Sequence, residues 1–172
     1  TTSQMAIPIP AADDTNTPFA TDLQISVDEP VLAQPTRVTS IRILVTDDHA
    51  PARASLIQIL GLVSKFEIVG EAVDGLDALE KARLLQPDVV LMDLTMPRLD
   101  GLEATRRLTA EFPRVRVIGL SMHDPAEMQP QMRAAGAYCF LHKSTPADDL
   151  IAAIRAAMGL DVQEDTAKDE PE

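Results

Sequence analysis

Between residues 41 and 158 short apolar runs alternate with longer segments of helical period, and that alternation leaves few folds open. Parallel strands joined by crossover helices have this pattern, because each helix must carry the chain back across the sheet before the next strand begins. The spacing predicts strands over 41–46, 67–73, 89–92, 115–120 and 137–141, and helices over 51–62, 76–85, 102–111, 125–135 and 146–158. IRILV and VVLM are nearly continuous in apolar character, as strands covered on both faces must be. The expected class is α/β, a (βα)5 doubly wound five-stranded parallel sheet. Helix starts carry their own chemistry. Asp74, Asp100, Asp124 and Thr145 stand where a side-chain oxygen can cap free N–H groups, and Pro125 and Pro146 suit a first helical position. Gly136 is placed to end the fourth helix, and Pro87 follows the second.

Such sheets bind ligands beyond the carboxyl ends of their strands, so the chemistry of this chain belongs there. The first strand runs into Asp47 and Asp48, the third into Asp93 and the fourth into Ser121, while Lys143 lies just past the fifth. Three carboxylates converging on one crevice repel one another unless a cation sits among them, and an all-oxygen set with open positions suits Mg²⁺ or Mn²⁺. Lys143 and Ser121 add a compact positive charge and a hydroxyl beside Asp93, a combination suited to the oxygens of a phosphoryl group.

At these residues the chain resembles the response-regulator receiver domain, over roughly 41–158. The resemblance rests on TDDHAPAR after the first strand, LMDLTMPRLDG after the third, IGLSMHD after the fourth and GAYCFLHKS around the fifth, in that order. One such motif is weak; four in sequence are specific. Lys143-Ser144 and LSMHD are similar to receivers of the NarL/LuxR type, which are commonly followed by a helix-turn-helix domain that these 172 residues do not contain. The resemblance implies a CheY-like, flavodoxin-like sheet of order 2-1-3-4-5. It implies that Asp93 is the phospho-acceptor, that Asp47, Asp48, Asp93 and the backbone carbonyl of Thr95 hold Mg²⁺, and that Lys143 contacts phosphoryl oxygen. Ser121 and Phe140 become the switch pair, the hydroxyl drawn to phosphate and the aromatic ring moving inward after it. Thr95 and His123, two residues beyond acceptor and hydroxyl, become the positions that tune dephosphorylation. The implied partners are a histidine kinase or phosphotransfer protein and an output partner met by helix 4, strand 5 and helix 5. No enzyme activity is implied beyond the chain's own phosphorylation and dephosphorylation.

Other readings account for less. A haloacid-dehalogenase-like phosphatase needs a second carboxylate two residues after its nucleophile, where this chain has Thr95. A pseudo-receiver that only binds partners does not need acceptor, acids, hydroxyl and lysine together, and a receiver fragment of a transcription regulator remains open. No glycine-rich loop follows the first strand, against a nucleotide site. His49, His123 and His142 lack zinc spacing. The helix-5 stripe LIAAIRAAM serves a phosphorylation-dependent homodimer or simply packs the helix on the sheet.

With 27 acidic against 15 basic residues and a net charge of -12, direct binding to nucleic acid is not expected. The acidity sits mostly at the ends. Residues 1–38 hold five acids against Arg37, among several prolines and no sustained apolar period; 160–172 hold six acids against Lys168. Both read as disordered, a leader and an acidic tail around a receiver at 39–159. No apolar run approaches the roughly eighteen residues a spanning helix requires, so no membrane role and a cytoplasmic location are expected. Cys139, the single cysteine among apolar neighbours, is expected to be buried and inert.

Overall fold

The computed structural model describes residues 40–160. The expected leader and all of the expected tail except Leu160 lie outside the described residues. Within them, strands and helices alternate without exception: β1 (Ile41–Thr46), α1 (Ala50–Gly61), β2 (Phe66–Ala72), α2 (Gly75–Leu85), β3 (Val89–Asp93), α3 (Gly101–Glu111), β4 (Arg116–Ser121), α4 (Pro125–Ala134), β5 (Cys139–His142) and α5 (Ala147–Ala157). The strands form one parallel sheet in the order β2-β1-β3-β4-β5. This is the expected order.

Alternation along the central strands sends side chains to two separate cores. Ile43 and Val45 of β1, Val89 and Leu91 of β3 and Ile118 of β4 meet Leu60 of α1 and Leu150, Ile154 and Ala157 of α5. Leu44, Val90, Met92 and Val117 face the other way, onto Ala78 and Ala82 of α2 and Ala104 and Leu108 of α3. Every residue of β3 is buried, which is why VVLM reads as one apolar run. Each fully buried Leu or Ile contributes about 2 kcal/mol of transfer free energy. The apolar stripe of α5 is thereby spent on the sheet, since Leu150, Ile154 and Ala157 all belong to this core.

The three aspartate caps form as expected, and the threonine cap does not. Asp74 accepts from the N–H groups of Leu76 and Asp77, Asp100 from Glu103 and Asp124 from Ala126. Thr145 does not cap α5. Pro146 occupies the N-cap itself, with no side-chain hydrogen bond, and Asp148 and Asp149 put negative charge in the first turn instead. The one-residue shift follows from Thr145 N–H bonding back to the His142 carbonyl at 2.9 Å, which makes 142–145 a turn. Gly136 (φ 92) ends α4 in a paired arrangement, with Gly136 N–H on the Arg133 carbonyl and Ala137 N–H on that of Met132. Because Ala137 closes the helix, β5 begins at Cys139, two residues later than the sequence suggests.

Among the described residues no helix is long and apolar enough to cross a membrane.

Candidate functional site

Strand register brings the chemistry together. Pairing of Thr46 with Met92 sets Asp47, the next residue, beside Asp93, and pairing of Asp93 with Leu120 sets Ser121 alongside. Ser121 pairs in turn with His142, so Lys143 emerges at the same edge, its N–H bonded to the Ser121 carbonyl at 2.8 Å. Carboxylate oxygens of Asp47, Asp48 and Asp93 lie within 4.8 Å of one another. Asp47 and Asp93 are buried at 1% and 4% exposure, while Asp48 faces solvent.

Lys143 bridges the two buried acids, Nζ standing 2.8 Å from Asp47 Oδ2 and 3.1 Å from Asp93 Oδ1. The second oxygen of Asp47 accepts the His49 N–H at 2.8 Å. Thr95 N–H makes a long contact, 3.4 Å, to Asp93 Oδ1. Burial lifts the Asp93 carboxyl above the ordinary aspartate range; the Lys143 ammonium pulls it down, the charge of Asp47 pushes it up again, and burial prevails. Lys143 shows the opposite balance. Burial disfavours its ammonium, but the hydrogen bond to Asp47 and the charge and hydrogen bond of Asp93 hold its pKa above the usual lysine value.

One ammonium satisfies one oxygen on each of two acids, and three carboxylates share the cleft. The remaining donors are hard oxygens with excess negative charge, a set that fits a small divalent cation. Ser121 is 1% exposed and its Oγ accepts the His123 N–H at 3.1 Å. His123 itself is exposed. Phe140 is 4% exposed and packs with Leu94, Met132 and Ala137 beneath α4. Gly119 makes room for it, since a Cβ there would stand 2.9 Å from Phe140 Cδ2 and 2.6 Å from Met132 Cε. Cys139 is partly buried, and burial pushes its thiol up to about 11.

Three participants escaped the sequence reading. Arg53 Nη1 donates to the Asp47 carbonyl at 2.7 Å while its Nε pairs with Glu71 at 2.8 Å, bracing the β1–α1 turn. His142 spans the two flanking loops: Nδ1 accepts the Ser144 N–H at 3.1 Å and Nε2 lies 3.1 Å from the Met122 carbonyl. Arg98 reaches Asp74 at the start of α2. The motif TDDHAPAR contained Arg53 as a signal; nothing in spacing marked the other two.

Comparison with known proteins accords with this geometry. The family description "Response regulator receiver domain" matches residues 43–155. The transcriptional regulatory protein DegU of Brevibacillus brevis is 39% identical over 115 residues, which cover 67% of this chain and 49% of that protein. The response regulator domain of Thermotoga maritima CheB superposes with a TM-score of 0.65 at 37% identity, covering 70% of this chain and 98% of that one. A two-component response regulator of the LuxR family from Aurantimonas sp. SI85-9A1 gives a TM-score of 0.65 at 32% identity, with 69% and 86% covered. The chain spans about half the length of the curated relatives it matches. With the sheet order, the acidic strand-end pocket and these matches in agreement, the chain belongs to the response regulator receiver domain family of two-component signalling.

Proposed function

We propose that the chain accepts a phosphoryl group on Asp93 from a histidine kinase or phosphotransfer protein, and that the phosphorylated form signals through the α4–β5–α5 face. The observation that carries the reading is the buried Asp93 carboxylate, faced by Asp47 and held by an ammonium at 3.1 Å. Such a carboxylate has little structural use, since a buried acid costs free energy unless its charge is matched. As a nucleophile it is well prepared.

Asp47, Asp48, Asp93 and the Thr95 carbonyl are the groups that would hold Mg²⁺, with Mn²⁺ as a substitute. Bound there, the cation supplies charge neutralisation for the incoming phosphoryl oxygens. An Asp93 oxygen forms the new bond to phosphorus as the donor's P–N or P–O bond breaks, with the leaving electron pair going to the donor. Lys143 then shifts its ammonium from Asp47 and Asp93 toward a phosphoryl oxygen, and the Ser121 hydroxyl donates to another. Ser121 Oγ also accepts the His123 N–H, so movement of the hydroxyl toward the phosphoryl group is passed to the β4–α4 turn. Phe140, packed against Leu94 and Met132, passes that shift to α4 and β5. Thr95 and His123 flank the path of the water that hydrolyses the acyl phosphate. The chain acts on no substrate but its own aspartate. Output, whether through a partner protein, a phosphorelay or a DNA-binding domain, is met by the switched face.

Intact-mass spectrometry after incubation with acetyl phosphate and Mg²⁺ tests the reading. One added phosphoryl group is expected, absent in Asp93→Ala and absent with EDTA. An adduct that survives in Asp93→Ala, or no adduct under any condition, overturns it.

A further inference from the structure

The connection from β3 to α3 holds a feature that the proposed chemistry leaves unused. Arg98 sits at φ 63, in the left-handed region. A residue with a Cβ stays there only where its surroundings over-determine it. Its side chain reaches a different loop. Arg98 Nε donates to Asp74 Oδ2 at 2.6 Å, and Nη2 donates to the same oxygen.

Asp74 is 2% exposed, and its other oxygen, Oδ1, accepts the N–H groups of Leu76 and Asp77 at 3.0 Å each. One oxygen therefore caps α2 and the other holds Arg98. Beside them the Gly75 N–H donates to the Leu99 carbonyl at 3.1 Å, and a Cβ at Gly75 would stand 2.6 Å from that carbonyl oxygen. The loop of residues 94–100 is closed at its base by Gly101 N–H on the Leu94 carbonyl, 3.0 Å. Its far side is fastened to α2 by Arg98 and Leu99. Thr95 lies inside the fastened segment, three residues before Arg98, with Pro97 restricting the backbone between them.

We propose that the Asp74–Arg98 pair is a positioning latch, which keeps the 94–100 loop in its ion-binding arrangement before a divalent cation arrives. The inference rests on the reading of Asp47, Asp48, Asp93 and the Thr95 carbonyl as the cation's ligands. Without the latch, the loop has to be ordered when the ion binds, and that entropy is subtracted from affinity. The reacting atoms are untouched by Arg98, so the rate at saturating cation is preserved. Arg98 is a positioning residue.

Calorimetric titration of the full chain with MgCl₂ tests this, using wild type, Arg98→Gly, Asp74→Asn and the double variant. Glycine adopts φ 63 freely, and asparagine still caps a helix, so each change removes the pair while sparing the local backbone. Each single variant is expected to weaken Mg²⁺ binding on the order of tenfold, the usual cost of losing a group that orients a ligand. The double variant is expected to be no weaker than the singles, and acetyl phosphate labelling of both singles recovers the wild-type rate once Mg²⁺ saturates. Arg98→Lys, which keeps the charge but not the two-pronged donor, regains part of the affinity. Unchanged Mg²⁺ affinity in the single variants, additive losses in the double, or a labelling deficit that persists at saturating Mg²⁺ overturns the latch. A wild-type chain that binds no Mg²⁺ removes the reading of the site itself, whereas wild-type binding with unaltered variants removes the latch alone.

Discussion

Replacing Lys143 with methionine keeps the aliphatic stem and removes one positive charge from between two buried carboxylates. The ammonium lies 2.8 Å from Asp47 and 3.1 Å from Asp93, and the Lys143 side chain is only 21% exposed. At an effective dielectric of about 20, each contact amounts to roughly 5 kcal/mol of attraction before desolvation is subtracted. Breaking a buried pair typically costs about 3–5 kcal/mol, because a charge is left without its partner. The low end, about 3 kcal/mol, is expected at pH 8, and acid relieves part of that loss through Asp93. Its carboxyl is already raised by burial, so the folded state holds that proton more tightly than the unfolded state. Stability gained this way appears as pH falls through the folded-state value and is complete below the ordinary 3.8. Loss of Lys143 raises the Asp93 value further, so the variant gains this stability at higher pH than wild type does. Lys143's own contribution is constant over the same window: its folded pKa lies above 10.5, and it is lost only as pH rises through that value. Urea unfolding followed by far-ultraviolet circular dichroism in EDTA, from pH 8 down to pH 5, should therefore show a stability gap that narrows with acid. Mg²⁺ should stabilise the variant more than the wild type. Equal stability at pH 8, or a gap that does not change with pH, would refute the reasoning.

Other expectations follow from single contacts. Gly101→Ala places a Cβ 1.9 Å from the Asp93 carbonyl oxygen, so the α3 start must move; urea unfolding is expected to show a loss of about 3 kcal/mol, and a loss below 1 kcal/mol would contradict the packing. Phe140→Ala empties a 4% exposed site and is expected to lower stability by about 3–4 kcal/mol in the same assay, as large-to-small core changes do. With its thiol near 11, native Cys139 is expected to react with Ellman's reagent at pH 8 far more slowly than in urea. Equal rates in the two conditions would place the thiol in solvent.

Much of the architecture was legible because its causes are local. Strands buried on both faces need unbroken apolar runs, and β3 is such a run; aspartates before α2, α3 and α4 cap as their chemistry requires. The strand-end acids and Lys143 were legible because parallel topology collects one end of every strand at a single edge. Thr145 misled because a hydroxyl before proline resembles a cap, while the turn at 142–145 shifted the helix start onto Pro146. Arg98 and Asp74 are 24 residues apart, joined through a left-handed residue that is not glycine. Helical or strand periodicity carries no trace of such a contact. His142 likewise looked like one scattered histidine, and only the closeness of two loops shows what its two nitrogens hold.

The central claim is that Asp93 itself becomes phosphorylated. Borohydride reduces an aspartyl phosphate to homoserine, so labelling with acetyl phosphate and Mg²⁺, followed by reduction and tandem mass spectrometry, reports the modified position directly. The account predicts homoserine at position 93 and unmodified aspartate at 47 and 48. Homoserine at either of those positions, or none in the 89–93 strand, would contradict it.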